Sequence, residues 1–92
     1  MFTQGETVRV KDQWPEAAGP VHIRTPWYVR GIQGQIVRHL GNFPNPENLA
    51  FARPAEPRAL YHVRFQKGAI WPEAKPDDEL LIEIFEHWLE KP

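Results

Sequence analysis

The chain contains no cysteine, which excludes a disulfide, a thiolate metal site and a cysteine nucleophile, and fits a reducing, cytoplasmic setting. It has no apolar run long enough to span a membrane, and no signal-peptide pattern precedes its first strand. It has no basic excess: the formal net charge is −1, where a dedicated nucleic-acid binder carries a positive stripe. No phosphate-cradling glycine loop of the usual spacing is present. The histidines, His22, His39, His62 and His87, match no local metal motif, and no cysteine completes one. Asp77, Asp78 and Glu79 form an acidic run with no partner at catalytic spacing, so a solvated turn suits them better.

Proline and tryptophan are abundant instead, with 10 and 4 copies in 92 residues. A chain this short forms one small domain that buries about 60% of its unfolded surface. Bends and an aromatic contact surface follow from the composition. Trp14, Trp27, Trp71 and Trp88 are candidate core or interface residues, and with so small a core at least one is expected to be covered by another chain.

The stretch from Val21 to Gly31 organises the rest. Read with a period of two, Val21, Ile23, Trp27 and Val29 fall on one side, and His22, Arg24, Tyr28 and Arg30 on the other. Pro26 biases Thr25 away from helical angles, which favours an extended or turning chain. This predicts an extended arm with a cationic face suited to oxyanions, because guanidinium is always charged and offers paired donors. Arg24 and Arg30 would stand ~20 Å apart on a straight strand, so unless the chain bends near Thr25-Pro26 one is expected at the chemistry and the other in a supporting or interface role. The same pattern also describes an ordinary amphipathic strand with solvated arginines.

Around the arm, Gly5 to Val10 reads as a strand with Val8 and Val10 inward, and Asp12 to Pro20 as loop. Gly34 to His39 is a second strand, and Gly41 to Pro57 a long proline-rich loop in which Asn48 to Phe51 suits a helical turn. Leu60 to Phe65 is the clearest strand, with Tyr61, Val63 and Phe65 on one face and His62 and Arg64 on the other. Lys67-Gly68 turns the chain into a short strand at Ala69 to Trp71. Leu80, Leu81, Ile84, Phe85, Trp88 and Leu89 recur at helical spacing, predicting a helix from about Asp77 to Glu90, although Leu80, Ile82 and Ile84 also alternate. Short strands between glycine turns favour a small barrel over a helical bundle.

His22-x-Arg24-x-Pro26-x-Tyr28-x-Arg30-Gly31-x-x-Gly34 resembles the H-x-R-x-P-x-Y-x-R-G-x-x-G segment in the C-terminal domain of nitrile hydratase beta subunits and the related thiocyanate hydrolase subunits. Gly5-Glu6-Thr7-Val8-Arg9-Val10, His39-x-Gly41 with Pro46, Leu60-Tyr61-x-Val63-x-Phe65, Ile70-Trp71 and Ile84-Phe85-x-x-Trp88-Leu89-Glu90 resemble further pieces of that family in the same order. The likeness departs from the family pattern at Pro72, usually glycine, and Trp88, usually tyrosine.

The resemblance implies a mainly β, SH3-like, partly open small barrel spanning 1–92 as a single domain. It also implies a final strand near Leu80 to Ile84, followed by a short C-terminal helical turn; this reading is preferred over the periodicity. No metal would be bound by this chain. Cobalt or iron, as Co(III) or Fe(III), would sit in a partner alpha subunit, in a claw of cysteines of which two are oxidised. Arg30 foremost, then Arg24, would hydrogen-bond those oxidised sulfurs, with His22 and Tyr28 extending the interface network. The reaction implied is addition of water to a nitrile to give an amide. Because the family's N-terminal helical half has no counterpart here, a split beta subunit is implied, with a separate subunit equivalent to that half; the implied substrate is a small-molecule nitrile, with thiocyanate the alternative, and neither nucleic acid nor membrane is an expected partner. Two other readings compete: a maturation or metal-delivery chaperone of such an enzyme, and a generic SH3-like module binding RNA or peptide.

Overall fold

Alternation of apolar residues along short segments builds an antiparallel sheet that curls on itself. The computed structural model describes residues 1–18, 23–49 and 56–92. Its strands are β1 (Thr7–Val10), β2 (Gln33–Pro44), β3 (Pro57–Gln66), β4 (Glu79–Phe85) and β5 (Leu89–Glu90), with one short helix, α1 (Pro46–Leu49). They form a five-stranded sheet in the order β4-β3-β2-β1-β5. The edge strands β4 and β5 do not pair with each other, so the SH3-like barrel stays partly open, as the resemblance implies.

The curl has a local cause. β2 slips register against β3 between Ile36 and Arg38 and again between His39 and Gly41, and each extra residue bends the strand and increases its twist. Gly41 sits at φ 128° beside the second slip, a conformation that a side chain would strain. Inside the curl, Val8, Val10, Val29, Ile36, Tyr61, Val63, Phe65, Ile84, Trp88 and Leu89 form one buried cluster. Gly34 lets β2 and β3 approach: a Cβ there would lie 2.8 Å from the Arg64 carbonyl oxygen and 2.9 Å from the Phe65 ring.

Three segments differ from the sequence reading, and a fourth departs from its periodicity alone. The arm, read as extended or turning, is bent: Pro26 is extended at φ −61°, ψ 141°, and Trp27–Val29 then form a 3-10 turn that Gly31, at φ 79°, leads out of. Proline's fixed φ suits entry to a helical turn, and the bend destroys the two-face alternation. Val29 and Arg30 are both buried, while Trp27 is 67% exposed. Val21 and His22 lie outside the described residues.

The expected strand at Ala69 to Trp71 is absent, because the amides of Ile70 and Trp71 both donate to the Lys67 carbonyl, at 3.0 and 2.8 Å, in a turn, and Pro72 has no N–H to extend a ladder. The long loop is shorter than predicted, since β2 and β3 stay paired out to Pro44 opposite Pro57. Its helical turn begins earlier, at Pro46, where the Asn45 side chain accepts the Glu47 amide at 3.0 Å; residues 50–55 lie outside the described part. Finally, the C-terminal helix that the periodicity predicts is β4, a 3-10 turn at Glu86–Trp88, and β5. Pairing with β3 from Leu60–Phe85 to Gln66–Glu79 overrides the helical spacing, as the resemblance implies.

Candidate functional site

The bent arginine segment gives its two guanidinium groups opposite environments. Arg30 turns inward. Its side chain is 1% exposed and pairs with Glu16 at 2.8 Å, through Nη1 to Oε1 and Nη2 to Oε2. Nη1 also donates to the Gln13 carbonyl at 3.3 Å, and Nη2 to the Thr25 carbonyl at 3.1 Å. Trp14 and Trp88 present their rings to Arg30 Cζ at 4.7 and 4.8 Å. A planar cation between two indole faces is favourable and becomes more so as water is excluded.

Each of those indoles is itself anchored by a carboxylate. Trp14 Nε1 donates to Asp12 at 2.8 Å, and Trp88 Nε1 to Glu47 at 2.7 Å. The other Glu47 oxygen lies 3.1 Å from His87 Nε2. Arg30 Nε and His87 Nδ1 are buried without a hydrogen-bond partner among the described residues. The guanidinium holds the Glu16 carboxyl below its usual value, chiefly by hydrogen bonding, with a backbone hydrogen bond in the same direction.

Arg24 turns outward. Its side chain is 49% exposed, and one Nη2 contact reaches Glu83 on β4 at 3.3 Å, with Cζ 6.0 Å from the Phe85 ring. A half-exposed ion pair of this kind exchanges readily for another acceptor. Tyr28 lies partly buried between Trp27, edge-on at 5.7 Å, and Trp71, at 5.4 Å. The turn therefore shows solvent one guanidinium and one indole, Arg24 and Trp27, and keeps the other arginine as its internal support.

Of the residues singled out from the sequence, Arg24, Tyr28 and Arg30 share this turn without sharing a face, and His22 lies outside the described residues. Trp14 and Trp88 were named only as core or interface residues, and Glu16 and Glu47 were not singled out. Their tie to Arg30 spans long sequence separations, as far as Trp88 near the end of the sequence, so no local spacing signals it. The acidic run near Asp78 is consumed locally: Asp78 accepts the Lys75 amide at 3.3 Å, and Glu79 pairs with Arg64 at 3.0 Å. Among the described residues no three His, Asp or Glu side chains are grouped to hold a metal ion, and no helix is long and apolar enough to cross a membrane.

Comparison with known proteins bears on the whole chain. The family model described as nitrile hydratase beta subunit, C-terminal, matches residues 1–91. The nitrile hydratase subunit beta of Pseudomonas chlororaphis is 33% identical over 92 residues, covering 98% of this chain and 40% of that protein. The cobalt-containing nitrile hydratase subunit beta of Pseudonocardia thermophila is 31% identical, covering 97% of this chain and 37% of that one. The chain thus spans about 40% of the length of these beta subunits. The thiocyanate hydrolase subunit alpha of Thiobacillus thioparus is 36% identical over 93 residues, covering 98% of this chain and 71% of that subunit. A solved structure of recombinant apo thiocyanate hydrolase from the same organism superposes with a TM-score of 0.85 at 34% identity, over 99% of this chain and 75% of that one. By sequence along its full length and by fold, the chain belongs to the family formed by the C-terminal domains of nitrile hydratase beta subunits.

Proposed function

We propose that this chain is the non-metal component of a nitrile hydratase-type hetero-oligomer, a single domain equivalent to the C-terminal half of a beta subunit. It lends a guanidinium group to oxidised cysteine sulfurs on a metal-bearing alpha subunit. The observation that carries this reading is the half-exposed Arg24, held by one replaceable carboxylate on a turn whose backbone is pinned from behind by Arg30. A guanidinium fork suits the anionic oxygens of sulfenic and sulfinic groups. Arg24 is therefore the donor across the interface, and Arg30, first choice from the sequence, supports the turn. Trp27 and Tyr28 flank Arg24 as interface residues.

Without cysteine, and with no suitable cluster among its described residues, the chain's own residues do not fit the cobalt or iron of such an enzyme. That metal, as Co(III) or Fe(III), belongs to the partner, where it assists addition of water to the nitrile carbon, converting R–C≡N and H₂O into R–CONH₂. A segment equivalent to the N-terminal half of longer beta subunits, whichever chain carries it, completes the assembly.

Purification of the native complex, with mass spectrometry of its subunits, metal analysis and assays on a nitrile and on thiocyanate, tests the proposal. The expected result is a stoichiometric complex that alone is active. An active enzyme lacking this chain would favour the maturation chaperone, and turnover by the isolated chain would refute the reading outright.

A further inference from the structure

Glu47 lies on α1, far along the chain from the arginine turn, yet an unbroken series of contacts joins them. Its Oε1 accepts the Trp88 indole N–H at 2.7 Å. The Trp88 ring faces Arg30 Cζ at 4.8 Å. Arg30 Nη2 donates to the carbonyl of Thr25 at 3.1 Å, the residue that follows Arg24.

We infer that Glu47 is a positioning residue for Arg24: by fixing the plane of the Trp88 ring it sets the clamp on Arg30, and through Arg30 the path of the turn. An indole offers a single N–H donor and no acceptor, so one short bond to a carboxylate fixes how the ring is rotated in its pocket. Trp88 is 2% exposed, which leaves water little access as a substitute acceptor. A guanidinium held over that ring shifts when the ring rotates, and its fork of donors tolerates little change of direction. His87, bonded to the other Glu47 oxygen, holds the carboxylate in register. The Trp14 side of the clamp is more open, at 50% exposure, so the buried Trp88 side bears most of the positioning. The functional meaning rests on Arg24 being the working guanidinium; the mechanical coupling does not.

The test uses the full chain with Glu47→Ala and Glu47→Gln, followed by NMR. In Glu47→Ala the Trp88 indole proton moves upfield. The turn amides of Arg30 and Ile32, bonded to the Trp27 and Val29 carbonyls, exchange roughly tenfold faster relative to the core amides of Val63 and Ile84. Glu47→Gln keeps an acceptor oxygen and stays near wild type. Equal acceleration in turn and core, or an unchanged turn, would overturn the inference, because plain destabilisation moves all amides together. If the turn loosens selectively but the assembled Glu47→Ala enzyme keeps its full kcat, the coupling stands and the assignment of Arg24 falls.

Discussion

Replacing Arg30 with alanine probes the clamp directly. The substitution removes two cation–ring contacts, each contributing about 1 kcal/mol in a largely dry site, and two hydrogen bonds from a charged donor to backbone carbonyls, each about 1 kcal/mol net. The carboxylate of Glu16 remains 43% exposed, so its pairing is largely screened and adds little. The expected loss is about 3 to 4 kcal/mol, a large part of the ~5–10 kcal/mol that holds a domain of this size together. That corresponds to a fall in Tm of roughly 15–25 °C. Arg24→Ala should cost no more than about 0.5 kcal/mol, because its one ion pair is half exposed. Urea denaturation of the free chain, followed by tryptophan fluorescence and circular dichroism, measures both. Arg30→Lys should fall between them, keeping charge without the planar stack. A loss below about 1 kcal/mol for Arg30→Ala, or similar losses at both arginines, would refute the division of labour between them.

Other outcomes follow from the same geometry. Gly34→Ala places a Cβ 2.8 Å from the Arg64 carbonyl, so overpacking of about 2–3 kcal/mol outweighs the unfolded-state gain of about 0.5–1 kcal/mol; thermal melts should show a clear net loss. The lowered Glu16 carboxyl contributes stability that is present above its unfolded-state value and is lost as pH falls through the folded one. Wild type should therefore lose its advantage over Glu16→Gln as pH drops below about 4.5, as read from urea midpoints between about pH 3 and 6.

Residues that meet neighbours in sequence were the legible ones. Val8 and Val10, or Tyr61, Val63 and Phe65, declare strands by alternation alone, and the structure buries all of them. The C-terminal segment carries both periods at once, and only the available edge of β3 decides between them. The arginine turn was legible in composition but not in direction. Alternation assumes an extended chain, and a single 3-10 turn after Pro26 rotates Arg30 into the interior. What receives it, Glu16 with Trp14 and Trp88, comes from loops and from the far end of the chain, so no local pattern announces the clamp. Family likeness corrected the periodicity at β4, yet its ranking of Arg30 ahead of Arg24 carries nothing about burial, which is what separates the two.

The most direct measurement is turnover by the reconstituted complex carrying Arg24→Lys, set beside the urea midpoint of the same free variant. The account predicts an unchanged midpoint and a kcat reduced by roughly tenfold or more, since an ammonium group cannot reproduce a forked guanidinium contact. Undiminished turnover from a correctly assembled, metal-loaded complex would contradict it.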